Sequence, residues 1–374
     1  MTLLAVAALS ARMVAEAARD DGFEVVSLDL FGDADTRRAC AQWMPIGAQS
    51  LLRIDPALLL AALTTLAQRG DVSCWIAGSG FECQPDLLAR GAALLPLIGT
   101  PADAVRRVRD PNTFFDVLDG FGIPHPPISM SVPADAAGWL LKDAQGCGGW
   151  HIRSAASAES VPAHHYFQRE VAGTPMSATF IANGSDACVL GFNWLTVRRF
   201  GARPFVYCGA IGPVPLPPDV AQRVAAAVCA LVAAFELRGL GSLDFMFDGT
   251  AFSVLEINPR PPASIALYGS HHLVAAHLRA CVHDELPPDA FAESDGTVHG
   301  TEIVFATCAT ALSAASAQRL AGFAGCHDLP AVATRFDATD PVCSVSAQGE
   351  TAAQVGALLA QRCATVHQFL ETLR

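Results

Sequence analysis

The sequence predicts a mixed fold, an α/β unit at the N-terminus followed by α+β units. Three observations carry this. Apolar strand-like runs alternate with helical ones over residues 1–100, the pattern of a parallel sheet. Gly122-Ile123-Pro124-His125-Pro126-Pro127 then breaks the chain into an extended segment, and short strands dominate from Trp139 onward. The 374 residues are 52% hydrophobic and 16% charged. That excludes a disordered chain and leaves room for two or three domains.

In chain order, Leu3–Ala8 reads as an apolar strand, Arg12–Asp20 as a helix and Val25–Leu30 as a second strand. Ser73–Ala77 is a strand running into Gly78-Ser79-Gly80-Phe81-Glu82, and Leu94–Ile98 is a further short apolar run. The Gly-Ser-Gly turn lies at a strand C-terminus, the ligand edge of a parallel sheet. Ala102–Val108 and Phe114–Gly120 read as helices, 219–238 as an Ala-rich amphipathic helix, 242–258 as a hairpin and Thr351–Leu373 as a closing helix.

The net charge of −12 argues against general nucleic-acid binding. The apolar stretch between Arg223 and Glu236 falls short of the about 20 residues a bilayer needs, so no membrane span is expected. Met1–Leu9 lacks a basic segment and reads as a buried strand rather than a signal peptide. The twelve cysteines contain no CxxC pair, which fits reduced thiols in a cytoplasmic protein.

Lys142 is the single lysine beside 23 arginines. It ends the apolar strand Trp139-Leu140-Leu141-Lys142, an odd place for a solvated ammonium. Gly146-Cys147-Gly148-Gly149 follows, and glycines let backbone N–H groups approach phosphate oxygens. No Walker A loop is present. A second constellation is the hairpin Leu243-Asp244-Phe245-Met246-Phe247 and Phe252-Ser253-Val254-Leu255-Glu256-Ile257-Asn258-Pro259-Arg260. Glu256 and Asn258 share a strand face. A two-residue turn pairs Phe247 with Thr250 and sends Asp244 to the other face. A three-residue turn pairs Phe247 with Ala251 and Asp244 with Val254, uniting Asp244, Met246, Glu256 and Asn258. The cost of an isolated buried acid favours the latter. Three oxygen ligands on one face suit Mg²⁺, and Arg260 reaches the same region. Tyr166–Gly173 reads as a strand leaving its sheet, with backbone groups open to a base.

In this order and spacing the elements resemble the ATP-grasp superfamily. The resemblance implies an N-terminal Rossmann-like pre-ATP-grasp domain (1–100), an ATP-grasp fold of two α+β subdomains (101–290, divided at 165/166) and a small C-terminal α+β domain (291–374). The last, through His327–Pro330 and Pro341–Val345, resembles the tail of biotin carboxylase. It implies ATP and Mg²⁺ as cofactors. Lys142, Gly146, Cys147, Gly148 and Gly149 would hold phosphates, and Gln168, Arg169, Glu170, Val171, Met246 and Leu255 would contact the nucleotide. Asp244, Glu256 and Asn258 would bind metal, and Lys142 and Arg260 would be catalytic. Cys147 reads as a small filler rather than a thiol nucleophile. Pro111 stands where many members carry a second phosphate lysine, leaving Arg106, Arg107 or Arg109 for that charge.

The activity implied is ADP-forming carboxylate–amine ligation through an acyl phosphate, with small-molecule acid and amine substrates and, as often in the family, a homodimer. Gly78–Glu82, Arg109-Asp110-Pro111, Phe167-Gln168-Arg169 and Ala210–Pro213 resemble predicted carboligases found beside one-carbon cofactor genes of methylotrophs. That implies biosynthesis of a tetrahydromethanopterin- or methanofuran-type cofactor. A bicarbonate-activating carboxylase and an ATP-binding regulatory protein without turnover are the alternatives. Acceptor-site candidates are Ser79, Glu82, Arg198, Arg199, Ser264, His271 and His272.

Overall fold

The computed structural model describes residues 3–156, 158–269, 272–288 and 296–373. At its N-terminus β1 (Leu3–Ala7), α1 (Arg12–Asp20), β2 (Glu24–Asp29), α2 (Ala34–Ala39) and β3 (Gln42–Pro45) alternate. A short pair β4 (Gly47–Ala48) and β5 (Arg53–Ile54) precedes α3 (Pro56–Arg69), β6 (Val72–Ala77) and α4 (Pro85–Ala92). The sheet runs β3-β2-β1-β6, all parallel. Asp55 starts α3 by accepting the N–H groups of Ala57 and Leu58, with Pro56 in the first turn, and Gly70 ends it. Leu94–Ile98 is not a strand of this sheet. It contributes one bridge, Trp75 to Leu97, because Pro96 has no N–H to extend a ladder.

Helices α5 (Ala102–Arg109) and α6 (Pro111–Phe121) follow, divided at Asp110, whose carboxylate accepts the Thr113 N–H at 2.8 Å. A small antiparallel sheet comes next, ordered β7-β10-β8-β9. Its strands are β7 (Ile128–Ser129), β8 (Trp139–Asp143), β9 (Ile152–Ser154) and β10 (His165–Arg169).

An eight-stranded sheet dominates the rest, ordered β15-β14-β11-β12-β13-β16-β20-β18. It contains β11 (Thr174–Asn183), β12 (Ala187–Phe200), β13 (Arg203–Gly212), β14 (Arg238–Phe247), β15 (Phe252–Asn258), β16 (Val298–Phe305), β18 (Cys326–His327) and β20 (Pro341–Gly349). A separate pair joins β17 (Thr310–Leu312) to β19 (Thr334–Phe336). Among the described residues the remaining α-helices are α7 (Pro218–Phe235), α8 (Leu273–His283), α9 (Ala314–Leu320) and α10 (Ala352–Glu371). Strands β16, β18 and β20 therefore extend the large sheet, and β10 stays in the small one. Divisions at 165/166 and 290/291 are proposals beside this continuity.

Helix α7 buries Val220, Val224, Ala227, Val228, Leu231, Val232 and Phe235 at three-to-four-residue spacing. They pack on Met176, Ala178, Phe180, Leu243, Phe245, Phe252, Val254 and Ile257 of the sheet. By length and composition this 18-residue helix is apolar enough to cross a membrane, contrary to what its charge-free stretch predicts. Its apolar stripe is nonetheless spent on the sheet. The twelve cysteines form no disulfide among the described residues.

The first and last segments are tied by charge. Arg12 Nε meets Asp328 Oδ1 at 2.6 Å and its Nη1 meets Glu16 at 2.8 Å. Asp35 accepts the N–H groups of Asp328 and Leu329. Burial, then Asp328 and Asp35, push the neighbouring Asp33 carboxyl up to about 9.

Candidate active site

The hairpin β14–β15 adopts neither register expected from its turn. Phe247 pairs with Phe252 across a four-residue loop, Asp248–Ala251. A regular ladder from there would set Asp244 opposite Leu255 and turn Glu256 into the α7 core. Instead the register shifts by one residue at Leu255, and Asp244 pairs directly with Glu256, and Ser242 with Asn258. The bulge therefore brings Asp244, Glu256 and Asn258 to one face. Asn258 Nδ2 donates to Asp244 Oδ2 at 3.2 Å and to Ser242 Oγ at 3.3 Å.

The two carboxylates differ in state. Burial, then Glu256, raise Asp244 to about 7. Burial also acts to raise Glu256, but Arg109 first, then Lys142, His151 and Arg260, outweigh it and hold that carboxyl below its ordinary range. Two carboxylates this close repel each other when both are ionised, the condition that favours a bound cation.

Across the cleft, Lys142 is 4% exposed on β8 and donates to Gln168 Oε1 at 3.1 Å. Gln168 is 2% exposed, and its Nε2 is buried with no partner. A buried ammonium on a neutral acceptor, beside an orphan N–H₂, is costly unless an anion completes the site. The donor set thus fits a phosphate group and the acid set fits a divalent cation.

The loop Gly146–Gly149 is tied to the acid face through Arg109, which meets both Gly146 O and Glu256. Gly149 has φ of +76°, and a Cβ there would overlap the Phe205 carbonyl. Gly148 accepts the Tyr207 N–H at 2.9 Å, and Trp150 packs with Phe200 and Phe305. Cys147 faces inward. Burial, then Glu82, push its thiol up to about 12, which leaves it protonated and unreactive at neutral pH. Burial pushes His151 down to about 4, so it is neutral there. Arg260 Nε meets Glu82 Oε1 at 2.7 Å, joining the Gly78–Glu82 turn to the metal-type hairpin. Burial opposes the charge on Glu82, yet Arg260 and Arg109 keep it ionised.

Residues 110–264 match the family model described as the ATP-grasp domain. That match covers less than half of the chain. The fold agrees with solved structures. The L-amino acid ligase from Bacillus licheniformis superposes with a TM-score of 0.70 at 12% identity, covering 97% of each chain. Carboxyaminoimidazole ribonucleotide synthase from Aspergillus clavatus, complexed with ATP, gives 0.69 at 13% identity over 100% of this chain and 99% of that one. In sequence, the carbamoyl phosphate synthase large chain of Myxococcus xanthus is 20% identical over 195 residues, 46% of this chain. The match spans only 18% of that relative's length.

The remaining expected residues separate. Arg169 and Glu170 are exposed on the strand exit. The Arg169 N–H goes to Pro127 O, the Glu170 N–H to Gly138 O, and the Arg169 guanidinium to Ala137 O. Val171 is half-buried beside them, as are Met246 and Leu255 on the hairpin. Of the acceptor candidates, Glu82 lies in the cleft. Ser264 is buried at 2.7 Å from Thr179 Oγ1. Ser79 uses its carbonyl to accept the Leu9 N–H. Arg198 is instead paired with Glu302, and His272 with Asp21. Arg199 is exposed, and His271 lies outside the described residues.

Of the three arginines considered for the lysine missing at Pro111, Arg106 pairs with Asp86 and Asp103, and Arg107 with Glu236, all at the surface. Arg109 alone of the three enters the cleft. Sequence reasoning missed His151 and Tyr207. Tyr207 faces the site because the register between β12 and β13 shifts at Cys208, and no residue pattern announces that. It missed Asn193 too. Asn193 is buried, donates to Ser177 Oγ and Thr179 Oγ1, and accepts from the Tyr268 hydroxyl at 2.7 Å.

Proposed function

We propose that the chain is an ATP- and Mg²⁺-dependent, ADP-forming carboxylate–amine ligase that works through an acyl phosphate. The observation that carries the reading is the pairing of a buried, anion-seeking Lys142–Gln168 group with the Asp244–Glu256–Asn258 face. Similarity to an L-amino acid ligase and to an ATP complex supports it.

In this reading Lys142 and Gly146–Gly149 hold the phosphates. Gln168–Val171, Met246 and Leu255 flank the base. Asp244, Glu256 and Asn258 hold Mg²⁺, which when bound neutralises phosphate charge. A substrate carboxylate oxygen attacks the γ-phosphorus, the bond to the bridging oxygen breaks, and ADP leaves. The amine nitrogen then attacks the acyl carbon, inorganic phosphate departs with the bonding pair, and the amine proton passes to solvent. Arg260, oriented by Glu82, stabilises charge on the transferring group. Chemistry of this kind rests on positioning and charge, with no covalent side-chain nucleophile. Small-molecule substrates, a homodimeric state and a cytoplasmic setting belong to the same proposal. So does a role in making a one-carbon-carrying cofactor, which rests on the short carboligase-like strings alone.

The test is hydroxylamine trapping. With Mg²⁺-ATP and pooled small carboxylates, hydroxamate should form in step with ADP. Bicarbonate activation is the second reading, favoured by similarity to carboxyaminoimidazole ribonucleotide synthase. ADP release that needs bicarbonate and yields no hydroxamate from any acid would replace the first reading with that one.

A further inference from the structure

Arg109 ends α5 one residue before the Asp110 cap and two before Pro111. Its guanidinium spans the cleft. Nε and Nη2 donate to Ala144 O at 3.0 and 2.6 Å, and Nη2 also donates to Gly146 O at 2.7 Å. Nη1 meets Glu256 Oε2 at 3.4 Å. Ala144 and Gly146 form the root of the glycine loop, and Glu256 belongs to the acid face. The Arg109 side chain is 10% exposed, so these bonds form largely out of water. One planar fork thus holds two loop carbonyls and one carboxylate together, a geometry a lysine cannot reproduce. The donors are committed to protein oxygens, so Arg109 does not simply replace the absent phosphate lysine.

We infer that Arg109 is a positioning residue that clasps the glycine loop to Glu256, so that loop closure and the state of the acid face are set by the same side chain. The consequence for nucleotide rests on the proposed ATP reading; the clasp itself does not.

The test uses Arg109→Ala and Arg109→Lys in the full chain. Amide hydrogen exchange over residues 144–149 is read first without nucleotide, then Mg²⁺-ATP binding by titration calorimetry at several Mg²⁺ concentrations. In Arg109→Ala, exchange should rise about tenfold or more, and ATP affinity should fall with a higher Mg²⁺ requirement. Arg109→Lys keeps the charge beside Glu256 but not the fork. It should restore much of the Mg²⁺ response while leaving the loop exchanging fast. A fold that merely loosened everywhere would speed exchange in β1 and α7 as well, which would contradict the inference. Unchanged loop exchange and unchanged affinity in Arg109→Ala would overturn it. Fast loop exchange in Arg109→Ala beside a wild-type protein that binds no Mg²⁺-ATP would keep the clasp and discard the ATP reading. Arg109→Lys carries the test if Arg109→Ala does not fold.

Discussion

On the α7 side of β11 and β14 the side chains are Met176, Ala178, Phe180, Leu243 and Phe245. On the other side the same strands present Ser177, Thr179, Ser242 and Asp244. Strand geometry alternates them residue by residue. One face is held by area removed from water, and it tolerates exchange of one apolar group for another of similar size. The other is held by hydrogen bonds whose partners are individually fixed, as when Asn193 serves Ser177, Thr179 and Tyr268 at once. The first supplies stability to the second. The second places charge where burial alone would forbid it. Substitutions on the two faces should therefore separate activity from stability.

The largest effect is expected on the polar face. Glu256→Gln keeps the shape but removes the charge opposite Asp244. ADP-forming turnover should fall by about 10³-fold, with the melting temperature nearly unchanged. A fall in both would mean Glu256 is structural and blur the distinction.

On the apolar face, Leu231→Ala should cost about 2–5 kcal/mol by urea denaturation, because Leu231 is fully buried in α7. Turnover of the folded fraction should stay at the wild-type value. Asn193→Ala lies between the two. It removes one partner each from Ser177, Thr179 and Tyr268, although Thr179 keeps Ser264, so a loss of about 1–3 kcal/mol is expected, with a smaller change in turnover. If Leu231→Ala lowered turnover of folded protein more than Asn193→Ala, the contrast between the faces would fail.

An effect read through pH lies at Asp33, far from both faces. Its folded value of about 9 stands above the ordinary 3.8. Below pH 4 both folded and unfolded chains keep the proton, and nothing is lost. As pH rises toward 9 the unfolded chain releases it while the folded one retains it, so stability falls. Asp33→Asn should remove this slope. Its advantage in melting temperature should be larger at pH 8 than at pH 5, and an equal difference at both would contradict the assignment.

Local pattern made much of this legible. Arg12–Asp20 is a helix in sequence and structure alike because its apolar spacing and flanking strands agree. Lys142 stood out as a lone lysine ending an apolar strand, and burial beside Gln168 is the outcome. The face shared by Asp244, Glu256 and Asn258 was readable from the cost of a stranded acid. The register that achieves it was not. It depends on a bulge at Leu255, and a one-residue insertion in a ladder has no compositional mark. Tyr207 was hidden for the same reason. Arg109 was visible only as one of three nearby arginines, since helix phase and the Asp110–Pro111 break decide which one turns inward.

The central claim is that one cleft holds ATP phosphates on Lys142 and Mg²⁺ on the acid face. Titration of ATP into the wild-type chain and Lys142→Met, each with and without Mg²⁺, tests it most directly. The account predicts binding that Mg²⁺ strengthens in the wild type and that Lys142→Met weakens about tenfold or more. ATP affinity indifferent to both Mg²⁺ and Lys142 would contradict it.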